Sequence, residues 1–77
     1  MKLTDEKIIG IIESVFKQNK GSINPKIRIE KFAKDSMDIM EFIAILENNY
    51  NVSINPEEVN KLSTVQEMIT YIQKNQP

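Results

Sequence analysis

Ser36 lies between two carboxylates, Asp35 and Asp38, where an irregular segment is followed by an apolar helical repeat in the stretch AKDSMDIMEFIAIL. A serine hydroxyl in this position can cap the helix, attack a substrate as a nucleophile, or carry an ester. Capping is the commonest role, because Ser and Asp oxygens accept hydrogen bonds from the free N–H groups of a helix start. Asp35 can also do the capping, which would leave the Ser36 hydroxyl pointing outward at the first helical position.

The composition argues against turnover chemistry at Ser36. The chain contains no histidine and the nearest lysine is Lys34, so a serine nucleophile has no evident activating base. The absence of cysteine also removes disulfides and thiolate metal sites. A phosphate ester on Ser36 would instead lie at a helix N-terminus, where free N–H groups and the helix dipole favour an anion. We therefore predict an attachment point rather than an enzyme, with no catalytic residue and no metal site.

Charge is unevenly distributed along the chain, although the net charge is only −1. Residues 1–35 contain eight Lys or Arg and five Asp or Glu, a balance of +3, whereas residues 36–77 contain two and six, a balance of −4. The acidic half suggests basic partners, and an ordinary solvated surface is the alternative. The basic residues lack interleaved aromatic residues, so we expect no nucleic-acid partner. The opening MKLTDEK has no apolar signal region and no apolar run reaches bilayer length, so we expect a cytoplasmic protein without membrane insertion.

The segment before Ser36 is predicted to be one helix followed by a long structured loop. Thr4 is the N-cap candidate of this helix, and its end is placed at residues 19–21, where a glycine can make a left-handed turn. The apolar stripe of the helix consists of Ile8, Ile9, Ile12, Val15 and Phe16. Residues 20–34 lack a helical period and contain Pro25, so we expect a loop packed over the bundle. Its apolar anchors are Ile23, Ile27, Ile29 and Phe32.

Two further helix starts follow the second helix, which is predicted from about Ser36 to Tyr50. The first has Asn55 at the cap, a proline next, and Glu58 reaching back to the cap backbone. The second has Thr64 and Glu67 as a capping box. The buried positions of these last two helices are predicted to be Val59, Leu62, Val65, Met68, Ile69 and Ile72.

The predicted fold class is all-α. Residues 1–77 form a single domain, a four-helix bundle of three longer helices and one short helix, with the long structured loop between the first two. A chain of this size is near the lower limit for one self-sufficient core. Helix packing alone must hold it, and we expect a monomer.

The second helix is predicted to have two apolar faces, since successive residues turn by about 100°. The core face consists of Ile39, Phe42, Ile43, Leu46 and Tyr50. The opposite face consists of Met37, Met40, Ala44, Glu41, Glu47 and Asn48. Exposed methionines are typical of surfaces that accommodate several partners. Burial of this second face by the loop or by a homodimer is the alternative.

The chain resembles the acyl carrier protein family over nearly its full length. The signature Asp35-Ser36-Met37-Asp38 stands for the family's Asp-Ser-Leu-Asp, and the apolar stripe of the second helix follows at the family's spacing. Later matches are Val52-Ser53-Ile54 before Pro56-Glu57-Glu58, and Leu62-Ser63-Thr64-Val65 with Tyr71-Ile72.

The resemblance implies that Ser36 receives 4′-phosphopantetheine from coenzyme A through a phosphopantetheinyl transferase. Acyl groups would then be carried as thioesters among separate loading, elongating and transferring enzymes. The partner surface implied consists of Asp35, Met37, Asp38, Met40 and Glu41. The acyl-binding interior implied consists of Ile12, Phe16, Ile29, Phe32, Ile39, Leu46, Ile54, Val59, Leu62 and Ile69.

The chain departs from the family pattern in its charge and in the residues before the signature. It is nearly neutral, with lysines at 26, 31 and 34, and Phe32-Ala33-Lys34 replaces the usual small residues. Asn48 and Asn49 stand where acids are common. These departures argue against a housekeeping role in fatty acid synthesis, though not against modification at Ser36, and favour a carrier dedicated to one pathway: polyketide, nonribosomal peptide or another specialised acyl product. The alternatives are an aminoacyl carrier of the D-alanyl or peptidyl kind, although D-alanyl carriers usually have glycine where Asp38 stands, and a helical adaptor without a prosthetic group.

Overall fold

Four α-helices build the fold in the computed structural model, which describes residues 2–77. They are α1 (Asp5–Val15), α2 (Ser36–Tyr50), α3 (Pro56–Val59) and α4 (Val65–Lys74). A 3₁₀ turn, Ile29–Lys31, lies within the long connection between α1 and α2. The predicted bundle of three longer helices, one short helix and a structured loop is confirmed. Met1, the first residue of the predicted domain, lies outside the described residues.

The first helix begins where it was predicted but ends earlier. The Thr4 side chain accepts a hydrogen bond from the Lys7 N–H at 3.1 Å, as the N-cap prediction required. The helix stops at Val15, and the left-handed residue that ends it is Lys17 (φ 56°), so the predicted end at residues 19–21 is wrong. Gly21 does adopt a left-handed conformation (φ 85°), but within the loop.

A buried carboxylate explains the early end of α1. Glu13 is buried, and its Oε2 accepts hydrogen bonds from the N–H of Gly21 at 2.7 Å and of Ile23 at 3.4 Å. These bonds fold the loop back against the last turn of α1. They also give a partner to the N–H of Ile23, a buried residue whose donor would otherwise be left unpaired.

The core is formed by the apolar stripes of the three longer helices. On α2, Phe42, Ile43 and Leu46 are buried, while Ile39 and Tyr50 are half-buried, which confirms the predicted core face. The α4 stripe is also confirmed, with Val65, Met68, Ile69 and Ile72 all buried. Each such side chain contributes about 1.5–3 kcal/mol when fully removed from water. None of the helices within residues 2–77 is long and apolar enough to cross a bilayer.

The long loop is fastened to the N-terminus of α4. The N–H groups of Val65 and Gln66 donate to the carbonyls of Ile27 and Pro25, both at 2.9 Å. The Ile29 N–H donates in return to the Ser63 carbonyl at 2.8 Å. These bonds satisfy donors that the first turn of a helix leaves free. The packed loop is confirmed, since Ile23 and Phe32 are buried and Ile27 and Ile29 are half-buried.

The start of α3 differs from its predicted cap in one contact. The Asn55 side chain accepts from the Glu57 N–H at 2.9 Å, as expected of a cap. Glu58, however, does not reach back to the Asn55 N–H. That N–H donates to the Tyr71 hydroxyl at 2.9 Å, and the Tyr71 hydroxyl donates to Glu58 Oε1 at 2.9 Å. A side chain of α4 therefore completes the cap of α3, and we call this arrangement the Tyr71 bridge.

Candidate functional site

Ser36 is the first residue of α2 and is exposed. The preceding Asp35 is the N-cap, with extended backbone angles, and its Oδ1 accepts a hydrogen bond from the Met37 N–H at 2.9 Å. The capping role therefore falls to the carboxylate, and the serine hydroxyl is not needed to hold the helix. The positive end of the helix dipole beside Ser36 favours a negatively charged group there.

The outer face of α2 is open to solvent in the single chain. Met37 is 76% exposed and Met40 is 57% exposed, which is unusual for large apolar side chains. The other members of this outer face, Glu41, Ala44, Glu47 and Asn48, are also exposed. The predicted second face is thus present, and the long loop does not cover it. We call these six residues the outer strip.

Ser36 is flanked in the sequence by carboxylates at the start of α2 and by lysines in the preceding loop. Asp35 and Glu41 are exposed and Asp38 is half-buried, whereas Lys31 and Lys34 on the loop are exposed. The predicted partner residues Asp35, Met37, Asp38, Met40 and Glu41 therefore all lie within the first two turns of α2 or at its cap.

A cavity of about 290 Å³ lies among α2, α3, α4 and the 3₁₀ turn. Its apolar lining consists of Phe16, Ile29, Ala33, Ile39, Phe42, Val59, Leu62 and Met68. Its polar lining consists of Arg28, Glu30, Asn60 and Ser63, all of them exposed, so these side chains form the rim. Arg28 Nε pairs with Glu30 Oε1 at 2.8 Å across part of that rim.

The cavity begins one helical turn from Ser36. Ile39, in its lining, follows Ser36 by three residues, or about 4.5 Å of helix rise. A second depression, of about 410 Å³, lies between α1 and α2 and is lined by Glu6, Lys7, Gly10, Ile11, Ser14, Val15 and Ile45. Its nearest lining residue on α2, Ile45, is about 13 Å of helix rise from Ser36. The smaller cavity is therefore the one that a group attached to Ser36 reaches first.

The structure brings together half of the residues named for the acyl-binding interior. Those that line the cavity are Phe16, Ile29, Ile39, Val59 and Leu62. Those that do not line it are Ile12, Phe32, Leu46, Ile54 and Ile69. Four of the second group are buried in the core, and Ile54 is half-buried against it.

Two lining residues were predicted only as core. Phe42 follows Ile39 by three residues on the same face of α2, and Met68 lies on the buried stripe of α4. The helical period shows that such residues point inward. It does not show where inward-pointing side chains leave space unfilled, so the cavity lining has no separate signal in the sequence.

Hydrogen bonds to Glu67 hold the turn between α3 and α4, in which Leu62 and Ser63 line the cavity. Glu67 Oε1 accepts from the N–H of Ser63 at 2.6 Å and of Thr64 at 3.1 Å, and the Thr64 side chain accepts from the Glu67 N–H at 3.2 Å. The predicted capping box is confirmed. Because these two N–H groups, Ser63 first, stabilise the ionised carboxylate, the pKa of Glu67 is lowered from its ordinary value.

The Tyr71 bridge shifts the pKa of its phenol in the other direction. Partial burial of the hydroxyl is the main cause that raises the pKa of Tyr71, and the hydrogen bond and negative charge of Glu58 raise it further. The N–H of Asn55 opposes this shift. The phenol consequently stays neutral and keeps donating to Glu58 at physiological pH.

Comparison with known proteins places the chain in a family. The family model for the phosphopantetheine attachment site matches residues 6–72. An acyl carrier protein of Chlorobium phaeobacteroides is 41% identical over 70 residues, which is 90% of each chain. The chain belongs to the acyl carrier protein family. An acyl carrier protein of Chlorobium phaeovibrioides is 39% identical over 70 residues, which is 90% of each chain. An acyl carrier protein of Helicobacter hepaticus is 29% identical over 73 residues, which is 94% of this chain and 96% of the relative.

The prosthetic group of the acyl carrier protein family is 4′-phosphopantetheine. Features around Ser36 fit the group: an exposed hydroxyl, a helix N-terminus for the phosphate charge, and an apolar cavity one turn away. Within residues 2–77, no cluster of three or more His, Cys, Asp or Glu side chains is arranged to hold a metal ion.

Proposed function

We propose that this acyl carrier protein carries acyl intermediates as thioesters on a 4′-phosphopantetheine arm esterified to Ser36. The observation that carries the proposal is the division of roles at the start of α2. Asp35 caps the helix, which leaves the Ser36 hydroxyl exposed and available for an ester. The apolar cavity one turn along α2 provides shelter for an attached chain.

In the attachment step, the phosphopantetheine group is transferred from coenzyme A to Ser36. Ser36 Oγ forms a bond to the phosphorus that bears pantetheine, the pyrophosphate P–O bond breaks, and adenosine 3′,5′-bisphosphate leaves. The hydroxyl proton passes to a base of the transferase, since the chain has no histidine and no evident base beside Ser36. When bound, the group supplies a thiol that holds acyl units as thioesters. The N-terminus of α2 stabilises the diester charge.

The partner surface of the carrier is proposed to be the first two turns of α2. Asp35, Asp38 and Glu41 present negative charge, and Met37 and Met40 present apolar area that adapts to different enzymes. The partners are the phosphopantetheinyl transferase and the enzymes that load, elongate and transfer the acyl group. The carrier works with them as a cytoplasmic monomer, and catalysis belongs to those enzymes.

The pathway is proposed to be fatty acid synthesis or a specialised acyl or polyketide pathway. The near-neutral net charge and the lysines of the loop beside Ser36 favour a dedicated pathway, because they present partners with a mixed surface rather than a uniformly acidic one. A dedicated carrier needs to be recognised by few enzymes and rejected by others.

Intact-mass measurement tests the attachment. Incubation with coenzyme A and a broad-specificity phosphopantetheinyl transferase is expected to add the mass of one phosphopantetheine, and Ser36→Ala is expected to abolish the gain. Ser53→Ala, which alters another exposed serine, is the matched control and keeps the gain. Unchanged mass with several transferases, or a gain that survives Ser36→Ala, contradicts the proposal and favours the adaptor alternative.

A further inference from the structure

The three phenylalanines of the chain form one aromatic cluster, and two of them line the cavity. The rings of Phe16 and Phe42 both line it, and their centroids are 5.5 Å apart with an interplanar angle of 50°. The ring of Phe32 packs against Phe16 from outside the lining, at 5.1 Å and 63°. Both angles are within the tilted and edge-to-face arrangements that aromatic pairs prefer.

These rings form a rigid floor. Phe42 is 1% exposed and Phe16 is 5% exposed, so both belong to the packed core as well as to the cavity wall. Close-packed rings of this kind have little freedom to move aside. Leu46 and Ile69 are fully buried and do not line the cavity, which therefore does not continue into the centre of the bundle.

The size of the cavity indicates a short cargo. An apolar cavity of roughly 150 Å³ can hold a benzene molecule. The present cavity, at about 290 Å³, is less than twice that volume, and part of it is bordered by the exposed rim. Drug-sized ligands generally occupy pockets of about 300–1,000 Å³. Six carbons in roughly 150 Å³ scale to fewer than about twelve in this cavity, and the part bordered by the exposed rim reduces this to about eight.

We propose that the Phe16–Phe42 pair sets the upper limit of acyl length in this carrier, and that the cargo is a short acyl chain. Phe42 is the main specificity-determining residue, because it follows Ile39 on the α2 wall and closes the cavity below it. This inference rests on the proposed attachment at Ser36. It adds to that attachment the class of acyl group and the residues that select it.

A series of proteins loaded with acyl groups of different length tests whether the Phe16–Phe42 pair limits acyl length. Acyl groups of increasing even length, from about two to about twelve carbons, are loaded from acyl-coenzyme A by a broad-specificity transferase. Intact mass verifies each loading, and the melting temperature is measured for each product. For the wild type, the melting temperature is expected to rise with chain length to a maximum near eight carbons and then to stop rising.

Substitution of the floor is expected to move that maximum. Phe42→Leu opens space at the inner end and shifts the maximum to chains longer by about two carbons. Phe32→Leu is the matched control. It makes the same substitution in the same aromatic cluster, but at a residue that does not line the cavity. It is expected to lower the melting temperature of every species without moving the maximum.

The outcomes separate this inference from the proposed attachment. Three results contradict the proposed length limit. The acyl length of highest melting temperature does not move in Phe42→Leu, it moves equally in Phe32→Leu, or the wild-type melting temperature does not depend on acyl length. Absence of any mass gain overturns the attachment instead. Should Phe42→Leu fail to fold, Phe16→Leu removes the other ring of the pair and must give the same shift for the inference to stand.

Discussion

At the scale of single residues, the start of α2 offers two capping side chains, Asp35 and Ser36, and uses one of them. Both are residue types that cap helices well. The carboxylate takes the cap by accepting from the Met37 N–H, and the serine is left exposed at the next position. The cap also fixes the orientation of the first turn of α2, so Asp35 contributes to the fold, and in the proposed function it also contributes to the charge presented to partners.

Substitution of Asp35 separates its two contributions. Asp35→Ala is expected to lower the free energy of unfolding by about 1 kcal/mol, because the cap is lost, whereas Asp35→Asn keeps a capping oxygen and has a much smaller effect. Both variants are expected to weaken binding to the transferase, since both lack the negative charge. Denaturant unfolding and binding affinity are the measurements. Wild-type affinity in Asp35→Asn at low salt, where charge effects are largest, contradicts a role for the charge.

At the scale of elements, α3 is held more by α4 than by its own length. A helix of four residues has almost no intrinsic stability. Its first turn is tied to α4 by the Tyr71 bridge, and its last residue, Val59, is buried in the core and lines the cavity. The position of this cavity wall therefore depends on a side chain that belongs to another helix.

Removal of one hydroxyl is expected to loosen α3. Tyr71→Phe leaves the Asn55 N–H and Glu58 without their partner and should cost about 1 kcal/mol of stability. Amide hydrogen exchange should accelerate at Asn55 and Val59, while the centre of α2 keeps its protection. Tyr50→Phe, which removes the hydroxyl of the other tyrosine and leaves the Tyr71 bridge in place, is the control and should leave the exchange of both amides unchanged. Equal exchange in Tyr71→Phe and wild type would show that the bridge does not hold the helix.

The turn between α3 and α4 is expected to be sensitive to acid through Glu67. Its pKa is lower in the folded protein than in the unfolded chain, because the N–H groups of Ser63 and Thr64 stabilise the carboxylate. Its contribution to stability is therefore fully present above the unfolded-state pKa, near 4.3, and is lost as the pH falls through the folded pKa. Glu67→Gln keeps an acceptor oxygen but cannot titrate. Denaturant unfolding across pH 2–6 should show a shallower acid loss for the variant, and parallel curves contradict the assignment.

The ends of these helices show which parts of the fold could be predicted from the sequence. The start of α2 was predictable because a cap and the residues it bonds are adjacent in the chain. The end of α1 was not, because it depends on Glu13 bonding a loop backbone eight to ten residues later. The cap of α3 was altered by Tyr71, sixteen residues beyond Asn55. The inward face of each helix follows from its period, but the empty space between faces depends on packing among all of them.

At the scale of the whole molecule, stability and the proposed cargo binding draw on one small core. A bundle of this size without disulfides has only a few kcal/mol of net stability. The core nevertheless borders a cavity of about 290 Å³ that no side chain fills, so the apolar side chains that line it make fewer contacts than in a closed core. An acyl chain entering that space restores the missing contacts and is expected to stabilise the protein by roughly 0.8 kcal/mol for each CH₂ group it buries.

Filling the cavity with a side chain should therefore compete with the cargo. Val59→Phe directs extra apolar volume into the cavity, so the unloaded protein is expected to keep or slightly raise its melting temperature, because the ring occupies existing space. The rise on loading a six-carbon acyl group should fall to less than about half of the wild-type rise, since fewer CH₂ groups are buried. Val52→Phe is the control: Val52 is buried outside the lining, so overpacking there should cost about 1–3 kcal/mol but leave the gain on loading intact. A full gain in Val59→Phe would place the cargo outside the cavity, against the polar rim, and would favour an aminoacyl or other polar unit over an alkyl chain.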